Sequence, residues 1–178
     1  MIEIYDLTKK GNVMIQTERL TLKPFSEEDA HIIYRIMSDD CVKKTYLVPD
    51  FPSEEAGLKL ARRLIALSAD DAHFIRGIYR NGTLIGFIND VERKEGSMEL
   101  GYVVAPLYQN QGYATEAFRA VIVHLFEKGW NEIIAGAFSK NMASIRVMEK
   151  CGMKKIEKQA EIEYRGRLHR CVYYAIKK

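Results

Sequence analysis

The chain has 178 residues, of which 47% are hydrophobic and 29% charged, and this composition is typical of a globular protein rather than a disordered one. The net charge of +3 is too small and too dispersed to favour nucleic acid as a partner. Three widely spaced cysteines give no disulfide framework and no metal-binding pattern, and no apolar run approaches the roughly 20 residues of a membrane span. We therefore expect one soluble, cytoplasmic domain without metal, membrane or nucleic acid.

The first part of the chain predicts an extension, a strand and two helices. Residues 1–13 are interpreted as an N-terminal extension that ends near the turn KKGN, and residues 14–178 as a single domain. The segment TERLTLKPF alternates Leu20 and Leu22 with polar residues, as a half-buried strand does. Ser26 and Ser53 each precede acidic residues and an apolar stripe, which predicts the start of a helix at each serine.

Three strands follow in close succession. The runs HFIRGIYR and LIGFINDVE flank Asn81 and Gly82, and this dipeptide is a strong hairpin signal. A third run, SMELGYVVAP, follows the turn RKEG. Strands joined by such short connections predict an antiparallel meander.

The second half predicts the longest helix, over residues 112–128, from apolar residues that recur at helical spacing. The strand EIIAGAF is apolar on both faces and so is expected to be central. A short helix in NMASIRVMEK and a final hairpin around Arg165 and Gly166 complete the chain. The order predicts an α/β (α+β layered) fold, with a mixed, mostly antiparallel twisted sheet of about seven strands and helices on both faces.

The turn YQNQGYATEAF joins a buried strand to the longest helix. The first N–H groups of a helix lack intrahelical partners and carry the positive end of its dipole, so a phosphate suits them. Gly112 allows a close backbone approach, Ala114 keeps the next turn open, and Thr115, Gln109 and Gln111 add side-chain donors. An ordinary corner turn stays the alternative, because the fingerprints of dinucleotide and P-loop sites are absent.

Asn141 and Ser144 form a second group at the start of the short helix. Asparagine is a common N-cap residue, which explains Asn141 without a ligand. The alternative is that its amide is directed into a groove between this strand and the preceding one, and the residues alone leave both interpretations open.

Together these segments resemble the Gcn-related N-acetyltransferase (GNAT) superfamily, most closely its RimJ/RimL branch. The family's phosphate loop Q/R-x-x-G-x-G/A is matched by QNQGYA, and the opening strand of the branch by TERLTLKPF. Its late motif, N-x-x-S followed by E-K-x-G-[FM], is matched by Asn141, Ser144, Glu149, Lys150, Gly152 and Met153. The three pieces keep the family's order and span residues 15–176.

The resemblance implies a GNAT-like domain that transfers an acetyl group from acetyl-coenzyme A directly to a primary amine in a ternary complex. The acceptor would be a protein N-terminus or a small-molecule amine. Dimers are common in the family, so a homodimer is one expected assembly. Two alternatives stay open: an acyltransferase with another acyl-CoA or acceptor, and a non-catalytic CoA-binding module.

The resemblance also assigns the cofactor-binding residues. Backbone amides of the loop would hold the pyrophosphate, namely those of Gln109, Asn110, Gln111, Gly112, Tyr113, Ala114 and Thr115. The backbone of Val103 and Val104 would bind the pantetheine arm, on a strand that in this family carries a bulge and splays from the next strand. Asn141 would contact the arm and Ser144 would lie close to the sulfur, while Lys150 would approach a phosphate or remain solvated.

Acetyl transfer requires a neutral amine and a departing thiolate. Since a lysine-like amine is mostly protonated at pH 7, a carboxylate is a suitable base. Glu99 is the first candidate, with a solvated strand glutamate as the alternative, and Glu92 is a weaker one. Many family members place a tyrosine acid where this chain has Met148, so Ser144 is the candidate donor to the thiolate. Expulsion of the thiolate without an acid stays open, because a thiol pKa of roughly 8.5 makes the thiolate a tolerable leaving group.

No motif specifies the acceptor. The stretch 39–51, the second helix and the last hairpin are expected to bind it. The hairpin carries His169 and Arg170 near the position where the branch often has an acidic residue, which changes the charge expected at the acceptor end. Glu116 is interpreted as a helix-dipole charge and Cys151 as a packing residue.

Overall fold

The computed structural model describes residues 3–6 and 13–178, with side chains from residue 14 onward. This part of the chain forms nine strands, five α-helices and two short 3₁₀ turns. The strands are β1 Glu3–Asp6, β2 Val13–Gln16, β3 Thr21–Lys23, β4 Ile75–Arg80, β5 Thr83–Lys94, β6 Ser97–Val104, β7 Glu132–Phe138, β8 Lys154–Tyr164 and β9 Arg167–Lys177. The helices are α1 Ala30–Ser38, α2 Asp40–Lys43, α3 Glu54–Ser68, α4 Tyr113–Glu127 and α5 Met142–Lys150.

The strands form one sheet in the order β1-β2-β3-β4-β5-β6-β7-β9-β8. Every neighbouring pair is antiparallel except β6 and β7, which are parallel. This confirms the mixed, mostly antiparallel sheet, with two strands more than the seven predicted. The additional pair, β1 and β2, lies at one edge, and β1 falls within the predicted extension. The turn KKGN lies outside the described residues, and the boundary at residue 13 stays a prediction.

Helices cover both faces of the sheet. On one face, Phe118 and Leu125 of α4 join the buried core around Ile133 of β7, an interior strand that lies between β6 and β9. On the other face, Ile33 of α1 and Ala61 of α3 join a second buried cluster. The apolar positions that recur at helical spacing thus form the sides of the helices that pack on the two faces of the sheet.

Local turn and capping signals account for several element boundaries. Asn81 and Gly82 have φ of 49° and 79°, as a two-residue hairpin turn between β4 and β5 requires. Ser53 Oγ accepts a hydrogen bond from the N–H of Ala56 at 3.2 Å and so caps α3. Ser26 begins a short 3₁₀ turn instead of the predicted α-helix, and α1 starts after it.

The strands β6 and β7 pair over only part of their length. Their pairing runs from Ser97 and Glu132 to Leu100 and Ala135. Both strands then continue, as Gly101–Val104 and Gly136–Phe138, without pairing to each other. The expected splay of the cofactor strand from its neighbour is therefore present.

The bulge expected in β6 lies instead in the neighbouring strand β5. Asp90 pairs with Leu100 and Glu92 with Glu99, which leaves Val91 as the extra residue. The physical reason is that one residue added to β6 would reverse the facing of its side chains. Leu100, 1% exposed, would then leave the core under α4.

Candidate active site

A cavity of about 920 Å³ occupies the opening between β6 and β7. It extends from the first turn of α4, past α5 and the unpaired strand ends, to the segment after α2 and to β9. Of the predicted site residues, those lining it are Glu99, Val103, Val104, Gln109, Asn110, Gly112, Tyr113, Ala114, Thr115, Asn141 and Ser144. Gln111 is the predicted residue outside this lining. The fold thus brings the separate sequence motifs to one continuous space.

The loop before α4 exposes a helix N-terminus to this cavity. Asn110 and Gly112 have φ of 59° and 83°, so both lie in the left-handed region that lets the chain turn sharply. Gly112 immediately precedes the 15-residue helix α4. Unpaired N–H groups and the positive end of the helix dipole therefore face the cavity at this end.

The two glutamine side chains of the loop are partly used by the loop itself. Gln109 Nε2 donates to the carbonyl of Val104 at 2.9 Å, and Gln111 Nε2 donates to the carbonyl of Leu107 at 2.9 Å. Because each amide nitrogen carries two hydrogens, each keeps one for a ligand. These side chains hold the loop in shape, a role that the sequence interpretation did not include.

Arg19 is a basic residue at the α4 N-terminus that sequence analysis missed. Its guanidinium donates to the carbonyl of Gln111 at 3.1 Å and lies 4.5 Å from the centre of the Tyr113 ring. It also forms an ion pair with Glu116 at 2.6 Å. Arg19 thus braces the loop from the side of β3, and Glu116 is a structural anchor rather than only a dipole charge.

Helix α5 supplies the opposite wall. Asn141 Oδ1 accepts a hydrogen bond from the N–H of Ser144 at 3.2 Å, so Asn141 is the N-cap and also lines the cavity. Arg146 and Lys150 follow at a spacing of four residues, both exposed and both lining the same space. The wall therefore combines one polar cap with two cations.

The hydroxyl group of Ser144 lies 2.7 Å from that of Tyr102. Tyr102 Oη also lies 3.0 Å from the carbonyl of Ser144, to which it can donate. Burial raises the pKa of Tyr102 above its ordinary value, although the hydrogen bond with Ser144 lowers it. The tyrosine therefore stays protonated at neutral pH.

Tyr102 could have been found from strand parity. It shares a face of β6 with Met98 and Leu100, both buried under α4. The sequence interpretation followed the opposite face, which carries Glu99. Met148, at the position of the family's tyrosine acid, is fully buried and supplies no proton. Burial raises the pKa of the Cys151 thiol to about 11, which agrees with packing rather than nucleophilic attack.

Glu99 is part of an ion pair and not a freely solvated side chain. Its Oε2 lies 2.7 Å from Lys158 Nζ, and its side chain is 12% exposed. Burial lowers the pKa of Lys158, but the hydrogen bond and charge of Glu99 more than offset this and raise it overall. Glu92 is exposed, pairs with Lys94 and does not line the cavity.

The stretch 39–51 and the last hairpin, both expected to bind the acceptor, contact each other; their role in acceptor binding stays a prediction. Tyr46 donates a hydrogen bond to Asn89 Oδ1 at 2.5 Å. Tyr164 Oη, from the hairpin, lies within hydrogen-bond distance of the carbonyls of Tyr46 and Val48, at 3.2 and 3.1 Å. His169 stacks on Phe138 with ring centres 4.3 Å apart.

The second predicted helix, α3, contributes no residue to the cavity lining, and its expected role in acceptor binding stays a prediction. It packs on α1 and β4 instead, on the far side of the second core cluster. Throughout residues 3–6 and 13–178, no three His, Cys, Asp or Glu side chains gather as metal ligands would. None of the helices described here is long and apolar enough to cross a membrane.

Comparison with known proteins agrees with this geometry. The sequence model of the acetyltransferase (GNAT) domain family matches residues 19–154. The uncharacterised N-acetyltransferase YnaD from Bacillus subtilis is 34% identical over 144 residues, which are 79% of this chain and 82% of the relative. A crystal structure of a GNAT-family acetyltransferase from Bacillus anthracis is 29% identical, covers 92% of this chain and 98% of its own, and gives a TM-score of 0.79.

The structure of RimL, a ribosomal L7/L12 α-N-protein acetyltransferase, shares the fold with a TM-score of 0.79. It covers 100% of this chain and 96% of its own at 17% identity. The chain belongs to the acetyltransferase (GNAT) domain family. Its activity is that of an acetyl-coenzyme A-dependent N-acetyltransferase.

Proposed function

We propose that this chain transfers the acetyl group of acetyl-coenzyme A directly to a primary amine within a ternary complex, with the residue roles given below. The observation that supports this most directly is the single cavity that joins the α4 N-terminus, the gap between β6 and β7, and Glu99. A cofactor that enters at one end and an amine that enters at the other would meet in the gap, with no covalent enzyme intermediate.

In this proposal the coenzyme lies along the gap. Backbone N–H groups of residues 110–115 before and at the start of α4 hold the pyrophosphate, whereas the N–H of Gln109, also predicted to bind it, already donates to the carbonyl of Pro106 at 3.2 Å. Arg146 and Lys150 of α5 attract the phosphates. The backbone of Val103 and Val104 binds the pantetheine arm as an adjacent strand would. One lone pair of the Val104 carbonyl is taken by Gln109, so the arm uses the groups that remain.

The transfer itself forms one bond and breaks one. The ammonium of the acceptor gives a proton to Glu99, and the neutral nitrogen attacks the thioester carbonyl carbon. The new C–N bond forms, the tetrahedral intermediate collapses, and the C–S bond breaks with its electron pair on sulfur. The amide nitrogen loses its second proton to solvent and the thiolate gains one, so that one proton is released in net.

We assign the proton donor of the thiolate to Ser144, supported by Tyr102. When Tyr102 donates its hydrogen to Ser144 Oγ, across the 2.7 Å contact, the serine hydrogen is free to face the sulfur. Tyr102 then replaces the proton that Ser144 gives up, and solvent returns a proton to Tyr102 before the next turnover. The pair occupies the place in the mechanism that Met148, buried in the core, does not fill.

The acceptor is a protein N-terminus or a small-molecule amine. A cytoplasmic location agrees with the three free thiols Cys41, Cys151 and Cys171, since reduced cysteines are typical of that compartment. A homodimer stays a prediction, and light scattering after size-exclusion chromatography would measure it.

The proposal is tested by calorimetric titration with acetyl-coenzyme A and by thiol release across a panel of primary amines. We expect saturable binding and amine-dependent thiol release. Glu99→Gln and Ser144→Ala should each reduce kcat by about 100-fold or more, the usual contribution of a positioned acid or base, with cofactor affinity kept. Absence of binding to acetyl-coenzyme A would contradict the cofactor site. Binding without turnover on any amine would instead support a non-catalytic module.

A further inference from the structure

Lys158 reaches Glu99 across two intervening strands. In the sheet, β7 and β9 lie between β6, which carries Glu99, and β8, which carries Lys158. Even so, Lys158 Nζ lies 2.7 Å from Glu99 Oε2. Side chains of strands this far apart do not normally meet, since neighbouring strands are about 4.8 Å apart. The contact therefore needs a structural cause.

One cause is a bulge in β8. Ile156 pairs with Tyr173 and Gln159 with Val172, so Glu157 and Lys158 have no partner in β9. A bulge of this kind redirects side chains relative to the regular strand. Here it coincides with the one lysine of β8 that contacts the cavity wall.

A second cause is the glycine in β7. A Cβ at Gly136 would lie 2.7 Å from Cε1 of Tyr173, so only glycine lets the tyrosine ring lie flat across β7. The ammonium of Lys158 lies 4.2 Å from the centre of that ring. The ring thus forms a surface over which the lysine crosses to Glu99, with a favourable cation–π contact.

The ion pair makes the acceptor end of the cavity charge-balanced. Glu99 is 12% and Lys158 38% exposed at the side chain. Asp90 also lines the cavity, but its carboxylate is paired with Arg93 at 2.7 Å. An amine without an anionic group has to displace the Lys158 ammonium from Glu99. It offers Lys158 no new partner, and the two positive charges repel each other at close range.

We propose that the acceptor is a compact zwitterionic amine: a primary amine that carries a carboxylate within a few bonds, as a small amino acid does. Its ammonium pairs with Glu99 and its carboxylate pairs with Lys158. Two ion pairs with the acceptor thus replace the one between Glu99 and Lys158. Glu99 is released to act as base only when an anion arrives with the amine. Lys158 is therefore a specificity-determining residue, and this inference rests on the proposed transferase function.

The test compares amino acids with their own amides, for example β-alanine with β-alaninamide, because the two differ in the anion and hardly in size. Initial rates of thiol release give kcat/KM for the wild type, for Lys158→Gln, and for Lys155→Gln as control. Lys155 is an exposed lysine of the same strand. We expect the wild type to prefer acids by at least about tenfold, or about 1.4 kcal/mol.

Lys158→Gln should lower kcat/KM for the acids and raise it for the amides, whereas Lys155→Gln should change neither. This crossover in sign is not produced by a loss of folding, which lowers both rates. Equal or better use of the amides by the wild type, or parallel effects of the two lysine variants, overturns the inference while the transferase function stands.

Two further outcomes separate the inference from the function. Acetylation of a peptide with an acidic second residue, but of no free amino acid, overturns the compact acceptor. If no panel member is acetylated, the acids are titrated into the complex with coenzyme A, and failure of all of them to bind overturns the inference. Failure to bind acetyl-coenzyme A overturns the function itself.

Discussion

The hydroxyl oxygens of Tyr102 and Ser144 lie 2.7 Å apart where β6 and β7 stop pairing. One residue belongs to the sheet and the other to α5, and 42 positions separate them in the chain. Tyr102 also packs on Phe118 of α4, with ring centres 4.8 Å apart. The ring of Tyr102 is thus held by the core, and its hydroxyl group is directed at Ser144.

Tyr102→Phe should lower kcat about tenfold and leave KM for acetyl-coenzyme A unchanged, because it removes only the partner of the proton donor. If Tyr102 acts through Ser144, the variant Ser144→Ala and the double variant should have similar rates. A thiol-release assay over pH 6–9 measures both rates and pH profile. Tyr174→Phe is the control, since its hydroxyl contacts Glu149 and not the cavity. Additive losses in the double variant would refute the coupling.

Gly112→Ala should weaken acetyl-coenzyme A binding more than its effect on folding explains. Its φ of 83° forces a side chain into the left-handed region, which costs about 1–2 kcal/mol. The added Cβ also lies 3.4 Å from Arg19 Nη2. Gly82→Ala is matched, with φ of 79° and nothing within 4 Å of its Cβ. Both variants should lose similar stability in urea, and calorimetry should show lower affinity for Gly112→Ala alone.

Glu116→Gln should reduce the free energy of unfolding by about 1.5–3 kcal/mol at pH 7, the range for hydrogen bonds to charged groups. The Glu116 carboxylate accepts hydrogen bonds from Thr17 Oγ1 at 2.6 Å and from the N–H of Arg19 at 3.0 Å. Urea unfolding measures the difference. Glu127→Gln, an exposed glutamate in the same helix, should change stability by less than about 0.5 kcal/mol.

The pH dependence of this difference has a defined sign. Burial raises the pKa of Glu116, but hydrogen bonds from Thr17 and Arg19 outweigh it and lower the pKa overall. A lowered pKa in the folded state gives stability that is complete above the unfolded value of about 4.3 and is lost as pH falls through the folded pKa. The gap between wild type and Glu116→Gln should therefore be constant from pH 7 to about 5.5 and shrink in more acidic solution. A gap that widened on acidification would contradict the assignment.

Arg146→Gln and Lys150→Gln should each weaken coenzyme A binding about threefold to fivefold, because exposed charge pairs contribute up to about 1 kcal/mol. The effect should be larger in low salt, where such charges are less screened. Lys154→Gln, a lysine that does not line the cavity, is the control. Titrations at two salt concentrations measure it, and salt-independent losses would point to an indirect effect on α5.

Features set by neighbours in the chain could be predicted from the sequence. The turn at Asn81 and Gly82, the Ser53 cap and the amphipathic stripe of α4 depend on local geometry, and the structure has all three. The motifs, taken in order, also predicted most of the site residues that line the cavity. The bulge position and the extent of β1 and β2 were missed, because strand pairing depends on partners and not on local propensity.

Two ion pairs at the site join residues that are distant in sequence. Arg19 meets Glu116 across 97 residues and Glu99 meets Lys158 across 59. Composition and periodicity do not state which strands become neighbours, so no local signal pairs these residues. The Glu99–Lys158 contact needs, in addition, a bulge in one strand and a glycine in another. Such a contact follows only from the assembled sheet.

The partial pairing of β6 and β7 has a consequence for how the molecule holds together. Among the described strands, the pairing between β1–β6 and β7–β9 consists of the four residue pairs from Ser97 and Glu132 to Leu100 and Ala135. A ligand bound along Gly101–Val104 would stabilise the contact between the two parts of the sheet, since its amide groups can form hydrogen bonds where the two strands do not pair. Amide hydrogen exchange in Gly101–Val104 and Gly136–Phe138 should then slow when coenzyme A binds. The bound coenzyme would therefore stabilise the fold as well as supply the acetyl group.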